Sequence, residues 1–467
     1  MHLHGPTELE SMKVSSVSNF PPKKFTKPRP DAPRLLAYDI ISEVNRRNGY
    51  SNLLLPQALS ASTMDERDRG FTTELVYGTI RMQGLYDYIF AQISDRQWSQ
   101  VDADIVDLAR MGAHQIFTMR TPLHAAVSAT VDVARKQLGE SKGSFINALM
   151  RKASAKEMDE WLEPVRAMSD PISHLAIEYS HPEWIVSAYL DLLKDVDAVE
   201  AELRSNNTPA LPTLVSWPGA STQEELVALG ATATEYSPYG ARFSGAPGSL
   251  EIIRHRKAGV QDEGSQLVAD IFARATASAT STLDLCAGPG GKAALLSHIC
   301  EVDGRDFVAN EISEPRAKLV KNVIGKFGVI VGDGREIASH GRTFDAILAD
   351  VPCTGLGALR RRPEVRWRRT IKDLAPLLQL QLELSNAAIS VLNPGGHFGY
   401  ATCSPHFAET TGQVKQILKE HPELELVDIN PLMPDGLSDG TRAGALSLWG
   451  HLHHTDSMFL AIFKKAN

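Results

Sequence analysis

Cysteine is scarce in this chain, and long apolar runs are missing. Four cysteines occur among the 467 residues, and they are far apart, which argues against a fold built on disulfides. No stretch approaches the roughly 20 apolar residues that a transmembrane helix needs, and the N-terminus lacks the apolar core of a signal peptide. We therefore expect a cytoplasmic protein with reduced thiols and no membrane partner.

An excess of positive charge is missing as well. The formal net charge is −8, which argues against a protein whose whole surface binds nucleic acid. A local basic groove is compatible with this charge, because phosphate contacts depend on the charge at the site. Six arginines and Trp367 lie within residues 360–369, a basic run that begins shortly after Cys353. We expect the basic run to contact RNA.

A chain of 467 residues predicts several domains. Residues 1–30 are basic and rich in proline, and we expect a disordered tail. Residues 31–155 carry apolar side chains at helical spacing and predict an all-helical domain. Residues 156–260 mix helical stretches with short strand-like segments, among them 213–217 and 250–254, and predict a small α+β linker domain.

Residues 261–467 alternate strands with helices, a pattern typical of an α/β domain with a mostly parallel, doubly wound sheet. Ligands of such sheets bind beyond the carboxyl ends of the strands. The predicted helices are 292–299, 314–327 and 374–392, and the predicted strands are 282–286, 307–311, 329–331, 344–349, 397–401 and 458–463.

A glycine-rich loop follows the first of these strands. Glycines let a backbone approach a ligand closely, and the helix that begins near Lys292 can direct free N–H groups at an anionic group. The segment satisfies a loose G-x-G-x-x-A pattern, so a nicotinamide oxidoreductase is an alternative, whereas Ala293 after Lys292 excludes a P-loop. The candidate cofactor residues of this loop are Cys286, Ala287, Gly288, Pro289, Gly290, Gly291 and Lys292.

Three acidic residues follow the later strands and fit a cofactor cleft. Glu311 ends the next strand roughly 20 residues on, where an acceptor for ribose hydroxyls belongs. Asp333 follows the third strand and is a candidate for the edge of a base. Asp350 follows the fourth strand and is a candidate acceptor for an ammonium group.

Two cysteines lie in loop-like motifs at strand ends, Cys353 in Asp-Val-Pro-Cys-Thr-Gly and Cys403 in Ala-Thr-Cys-Ser. Addition of a thiolate to C6 of cytosine makes C5 nucleophilic towards a methyl sulfonium, and a base must then remove the C5 proton. Such a thiol needs a lowered pKa, for which Lys292 and the basic run are candidate sources of charge. We interpret the pair as catalytic thiols for methyl transfer, although their spacing does not decide which one attacks. We interpret Cys300 as a small buried hydrophobic residue.

Together these motifs resemble the bacterial RNA cytosine-C5 methyltransferases of the Nol/Nop/Sun family. The helical region 31–155 resembles the NusB-like domain that is fused to the methyltransferase in the Sun (RsmB) subgroup. The resemblance covers nearly the whole chain after the tail. The matching segments are 283–292, 310–313 with Arg316, 332–334, 350–357, 402–404, 455–460 and, before the catalytic domain, 261–266.

The resemblance implies a class I, Rossmann-like methyltransferase domain with S-adenosylmethionine as cofactor and a cytidine of 16S rRNA as target. It assigns the nucleophile to Cys403 and assistance of product release, as the base, to Cys353. Arg316 joins the cofactor-binding residues, and Lys292 and Asp350 are expected near the target base. The implied partner is RNA rather than DNA, and we expect a monomer.

Several alternatives stay open. One is the same chemistry on a cytidine of tRNA. Another is a non-catalytic RNA-binding factor for ribosome assembly, against which the two cysteines and the cofactor acids argue. A metal site at His451, His453 and His454 lacks a matching cysteine pair, so surface or packing histidines are the favoured interpretation and no metal is expected.

Overall fold

The computed structural model describes residues 31–119 and 121–467, so the predicted tail at 1–30 lies outside the described residues. The N-terminal part is all-helical, as its apolar spacing predicted. Its core combines side chains of all its long helices with Trp161, Leu162 and Val165 from the helix that follows. The helices are α1 (Ala32–Arg47), α2 (Ser51–Ala61), α3 (Glu66–Ile93), α4 (Ala103–Phe117), α5 (Leu123–Leu138) and α6 (Glu140–Ala153).

The long helix α3 illustrates how local sequence sets an element. Asp65 caps its N-terminus by accepting a hydrogen bond from the backbone N–H of Asp68, and acidic residues in the first turn suit the positive end of the helix dipole. Apolar side chains such as Leu75, Tyr86 and Phe90 recur on one face and are fully buried. The helix therefore forms one wall of the N-terminal core.

The middle of the chain contains four helices followed by a small sheet. Its strands are ordered β2-β3-β1-β4 and are antiparallel. The prediction of a strand at 250–254 is wrong, because Leu250, Ile252 and Ile253 all pack against one small core, which the alternation of a strand does not allow. The elements are α7 (Met158–Arg166), α8 (Pro171–Glu178), α9 (Glu183–Leu193), α10 (Val196–Asn207), β1 (Thr213–Ser216), α11 (Gln223–Ala228), β2 (Thr232–Ala233), β3 (Gly240–Arg242), α12 (Glu251–Arg254) and β4 (Ala258–Val260).

The C-terminal part alternates strands and helices around one large sheet, as predicted. The helix predicted at 314–327 ends earlier, at Lys321, and Gly325 beyond it has a left-handed φ of 62°. The elements are α13 (Glu263–Ala275), β5 (Ser281–Asp284), α14 (Gly291–Val302), β6 (Asp306–Glu311), α15 (Glu314–Lys321), β7 (Gly328–Val331), β8 (Phe344–Asp350), α16 (Val365–Arg368), α17 (Leu374–Ser390), β9 (Leu392–Thr402), α18 (Thr411–Glu420), β10 (Leu424–Leu426), β11 (Thr441–Arg442), β12 (Ala445–Ser447), α19 (Gly450–His453) and β13 (Phe459–Lys465).

The large sheet has the strand order β7-β6-β5-β8-β9-β13-β12-β11, with β10 also paired to β13. Strands β5 to β9 are parallel, whereas β13 runs antiparallel to β9. The order reverses between β5 and β8, which is where doubly wound sheets bind their ligands. The carboxyl ends of β5, β8 and β9 are therefore neighbours.

Helices cover both faces of this sheet because successive strand residues point to opposite sides. Leu348 joins the core formed with α13 and α14, while the adjacent Ile347 joins the core formed with α17 and α18. Strands buried on both faces explain the near-continuous apolar runs in the sequence.

The middle helices α8 to α10 pack against the C-terminal part. Their core includes Leu356, Leu359 and Val365, from the segment after β8, and Trp449. This packing fixes the segment that follows Cys353. Among the described residues, we find no helix that is both long and apolar enough to cross a membrane.

Candidate active site

The glycine-rich loop leaves β5 at Asp284 and enters α14 at Gly291. Gly290 has a φ of 114° at the N-cap, a left-handed conformation that glycine adopts without a steric cost. A Cβ on Gly288 would overlap the Glu311 carboxylate, whose Oε2 accepts a hydrogen bond from the Gly288 backbone N–H at 3.0 Å. The loop therefore needs glycine to approach the acid at the end of β6.

Glu311 is buried and held from three sides. Besides Gly288, the backbone N–H of Ser313 donates to Oε1 at 2.7 Å, and the half-exposed Arg316 forms an ion pair at 2.6 Å. The predicted residues Gly288, Glu311 and Arg316 thus lie together beyond β5 and β6. Asp333 lies beyond β7, where its carboxylate caps a helical turn by accepting from the Arg335 backbone N–H and also pairs with the Arg335 side chain.

Lys292 and Asp350 meet between the glycine-rich loop and the thiols. Lys292 Nζ lies 2.8 Å from Asp350 Oδ2. Although burial lowers the pKa of the Lys292 ammonium, the Asp350 carboxylate raises it above its ordinary value, so the lysine is charged. Behind them, burial and then Asp350 raise the pKa of Asp284 to about 7. Asp284 was not singled out from the sequence, and its Oδ1 accepts from the Cys286 backbone N–H at 3.3 Å.

The two predicted thiols face each other. Cys353 follows β8 and Cys403 follows β9, and the pairing of Asp350 with Ala401 aligns the two strand ends. Their Sγ atoms are 3.4 Å apart. Residues that are fifty positions apart in sequence thus form one pair of thiols beside the Lys292–Asp350 ion pair.

The surroundings of the two thiols differ in charge. The hydrogen bond from Cys353 lowers the pKa of Cys403, whereas burial and the Asp350 carboxylate raise it. With the charges of Lys292 and Arg362, which also lower this pKa, the net shift is downward. The same hydrogen bond raises the pKa of Cys353, as do its burial and the nearby carboxylates Glu409 and Asp350. Of the two thiols, Cys403 is therefore the one that loses its proton more readily, with Cys353 as the hydrogen-bond donor to it.

A buried polar network behind the thiols was not found from the sequence. The Glu409 carboxylate accepts hydrogen bonds from the backbone N–H of Thr354 at 2.8 Å, from the Thr354 hydroxyl, and from Gln381 at 3.0 Å. Gln381 also donates to the Pro352 carbonyl at 2.9 Å. The network fixes the loop that carries Cys353. Its one signal in the sequence was the acidic residue Glu409, five positions after Ser404.

The basic run does not lie on the surface as one RNA-binding strip. Arg366 is fully buried and donates to the carbonyl oxygens of Ser180 and Asn206 and to the side-chain oxygen of Asn207. Trp367 Nε1 donates to the Ile80 carbonyl at 3.0 Å. For these two residues the expected RNA contact is wrong, because they join the N-terminal helices to the catalytic part.

The remaining cysteines have packing surroundings. Burial raises the pKa of Cys286 well above its ordinary value. Cys300 is buried in the core beside Leu295 and Leu296, as expected for a small hydrophobic residue. Within residues 31–119 and 121–467, no group of three or more histidine, cysteine and acidic side chains is arranged to hold a metal ion.

Comparison with known proteins identifies the family. Residues 274–464 match the model of the 16S rRNA methyltransferase RsmB/F family, and residues 31–155 match the NusB family. A putative methyltransferase of Mycobacterium tuberculosis is 40% identical over 93% of this chain and 97% of its own length. The ribosomal RNA small subunit methyltransferase B of Pseudomonas putida is 32% identical over 85% of this chain and 91% of its own length. The chain belongs to the RsmB/F family of 16S rRNA methyltransferases.

Membership confirms the predicted family and an S-adenosylmethionine-dependent rRNA methyltransferase activity, and it overturns the nicotinamide alternative. The fold agrees with that of solved structures. The crystal structure of PH0851 superimposes with a TM-score of 0.77 at 21% identity and covers 94% of this chain and all of its own. NSun6 from Pyrococcus horikoshii superimposes with a TM-score of 0.52 at 16% identity, over 61% of this chain and 98% of its own. The predicted NusB-like and Rossmann-like parts are thus confirmed.

Proposed function

We propose that this RsmB/F methyltransferase methylates C5 of a cytidine in 16S rRNA through a covalent bond between Cys403 and C6 of the base. The observation that carries the proposal is the pair of thiols 3.4 Å apart, of which Cys403 has the lowered pKa and Cys353 the raised one. A thiolate is the reactive form of cysteine, so Cys403 is the nucleophile.

The cofactor site fits the nucleoside of S-adenosylmethionine. Gly288 allows the glycine-rich loop to lie against the Glu311 carboxylate, and the ribose hydroxyls would replace the contact that the half-exposed Arg316 makes with this carboxylate. In this proposal Asp333 would contact the adenine edge, and Asp350 would accept from the ammonium group. When bound, the cofactor supplies an electrophilic methyl group on a sulfonium. Lys292, Cys286 and the loop from Ala287 through Pro289 to Gly291 would line its amino-acid end.

The steps of the reaction follow from the two thiols. Cys403 Sγ bonds to C6, and the electron pair of the C5=C6 bond makes C5 the nucleophile that takes the methyl group. This addition consumes the thiolate whose hydrogen bond is the largest cause of the raised pKa of Cys353. Cys353 must then release its own proton to solvent before its thiolate accepts the C5 proton. The electron pair left at C5 restores the double bond, and Cys403 leaves as a thiolate. A target cytidine in structured RNA must be turned out of its stack to reach the thiol.

The experiment is methyl transfer from tritiated S-adenosylmethionine to unmodified small-subunit rRNA. Wild type should place label in 5-methylcytosine, Cys403→Ala should give none, and Cys353→Ala should accumulate a protein–RNA adduct that survives denaturation. Cys300→Ala is the matched control, because this buried thiol is remote from the site, and it should retain activity.

Three other outcomes would contradict the proposal. Label on tRNA alone would support the proposed chemistry but reject 16S rRNA as the substrate. Label in wild type that persists in Cys403→Ala would reject the assigned nucleophile. No label on either RNA would favour a non-catalytic assembly factor.

A further inference from the structure

Arg362 differs from its neighbours in the basic run. Arg360 and Arg361 both pair with Asp456. Arg366 is buried between the N-terminal helices and the catalytic part, where its terminal nitrogens already donate hydrogen bonds. Among the described residues, the partly exposed Arg362 guanidinium has no acidic partner and no hydrogen-bond acceptor. The terminal N–H donors of this guanidinium are therefore available to an anionic group from outside the described chain.

Tyr50 of the N-terminal part holds Arg362 in position. The Arg362 guanidinium lies 5.0 Å from the centre of the Tyr50 ring, and Arg368 lies 5.0 Å from the same ring. Arg368 is itself anchored by donating to the carbonyl oxygens of Val44 and Gly49. The ring is thus a fixed platform, and cation–π attraction orients Arg362 upon it.

The Arg362–Tyr50 pair lies beside the reacting thiol. The charge of Arg362 is close enough to lower the pKa of Cys403, and Arg362 lies on the segment that follows Cys353. Tyr50 is 44% exposed, so the pair is open to solvent. The positive charge at this edge of the site therefore comes from the catalytic part, but its position is set by the N-terminal part.

We propose that Arg362, oriented by Tyr50, binds an RNA phosphate next to the target cytidine. The proposal rests on the proposed function, since it places the phosphate of a substrate nucleotide whose base reaches Cys403. A guanidinium offers paired N–H donors that match phosphate oxygens. Part of the substrate site is therefore built across the domain junction, which gives the N-terminal part a role in positioning the reacting nucleotide.

The test is equilibrium binding of a small-subunit rRNA fragment over a range of salt concentrations. Arg362→Gln should weaken binding by about tenfold, the value of one charge-assisted contact. It should also lower the slope of log affinity against log salt by about 0.7 to 0.9, the contribution of one phosphate. Arg362→Lys should keep the slope and lose part of the affinity. Tyr50→Leu should weaken binding, and Tyr50→Phe, which keeps the ring, should not.

Controls separate this proposal from the others. Arg342→Gln removes a half-exposed arginine that pairs with Asp306 far from the thiols, and it should bind RNA like wild type. Binding of S-adenosylhomocysteine should be unchanged in Arg362→Gln. Arg362→Gln could instead keep the RNA affinity and salt slope of wild type while alkylation of Cys403 becomes slower. That result would overturn the proposal and show that Arg362 acts only on the thiol. No RNA binding by wild type would also overturn it, whereas intact binding without methyl transfer would overturn only the proposed function.

Discussion

Cys353 and Cys403 are identical side chains 3.4 Å apart that the surrounding charges make different. Lys292 and Arg362 lower the pKa of Cys403, while Glu409 and Asp350 contribute to the raised pKa of Cys353. When the pair loses one proton, Cys403 is therefore the thiol that gives it up, and the hydrogen bond between the two thiols keeps the other proton on Cys353. The asymmetry is a property of each residue's neighbours, because the two local motifs do not differ in intrinsic acidity.

The first prediction concerns pH. Because the pKa of Cys403 is lowered, its thiolate fraction should rise and reach its plateau at a lower pH than that of a free thiol, whose pKa is about 8.5. Alkylation of Cys403 by iodoacetamide, quantified by peptide mass spectrometry, should follow this curve. Lys292→Met removes a positive charge and should move the midpoint to higher pH.

Lys318→Met is the matched control, since Lys318 is exposed on α15 and pairs with Glu314. It should leave the midpoint unchanged. A Cys403 midpoint at or above that of a free thiol would contradict the assigned nucleophile, and an unchanged midpoint in Lys292→Met would remove the role of that lysine.

At the scale of elements, the loops after β8 and β9 are hydrogen-bonded to each other and to the segment that leads into β13. The Gly357 backbone N–H donates to the Cys403 carbonyl at 2.9 Å, and the Ser457 backbone N–H donates to the Gly357 carbonyl at 2.9 Å. A Cβ on Gly357 would overlap the Ser457 carbonyl. Three chain segments thus converge on one glycine, and the distance between the thiols depends on their fit.

The second prediction follows from this convergence. Gly357→Ala should displace the loop of Cys353, and it should lower kcat strongly while S-adenosylhomocysteine still binds. Gly328→Ala is the matched control, because a Cβ there meets nothing within 4 Å, and it should retain wild-type kcat. Methyl-transfer kinetics and isothermal titration measure the two quantities. Wild-type kcat in Gly357→Ala would show that the close contact between Gly357 and Ser457 is not required for catalysis.

At the scale of the whole molecule, α16 joins the N-terminal helices to the catalytic part. Trp367 occupies the space beside Gly84, where a Cβ would overlap its ring. Burial, together with the charge of Arg81, lowers the pKa of Arg366 to about 9. Arg366 is retained in this junction because its guanidinium satisfies carbonyl oxygens from several segments at once.

The third prediction tests this junction. Arg366→Met keeps much of the side-chain volume but leaves buried carbonyl oxygens without a donor, at about 1–3 kcal/mol for each unsatisfied group. The midpoint of thermal unfolding should therefore fall, and proteolysis between the N-terminal and catalytic parts should become faster. Arg369→Met, at the C-cap of the same helix, is the control and should resemble wild type. Equal stability of the two variants would contradict the role of Arg366 in the junction.

Predictions from the sequence succeeded where the relevant pattern was local. The strand ends that carry Glu311, Asp350 and Cys403 were placed correctly, because apolar strands followed by polar loops are typical of doubly wound sheets. Predictions failed where packing decided the outcome. Residues 250–254 have β-branched side chains but form a helix, because a small core accepts two adjacent isoleucines from one side.

The sequence by itself determined the family, the class of chemistry and the candidate residues, because the motifs that carry them are contiguous segments at strand ends. Only the tertiary structure decided which charged groups surround each thiol, which arginines are buried, and that Tyr50 lies against Arg362. These properties depend on distances between residues that are far apart in the chain. Hydrogen bonds need donor and acceptor within about 3 Å, and Coulombic energy falls as the distance grows, so both are set by packing rather than by local order.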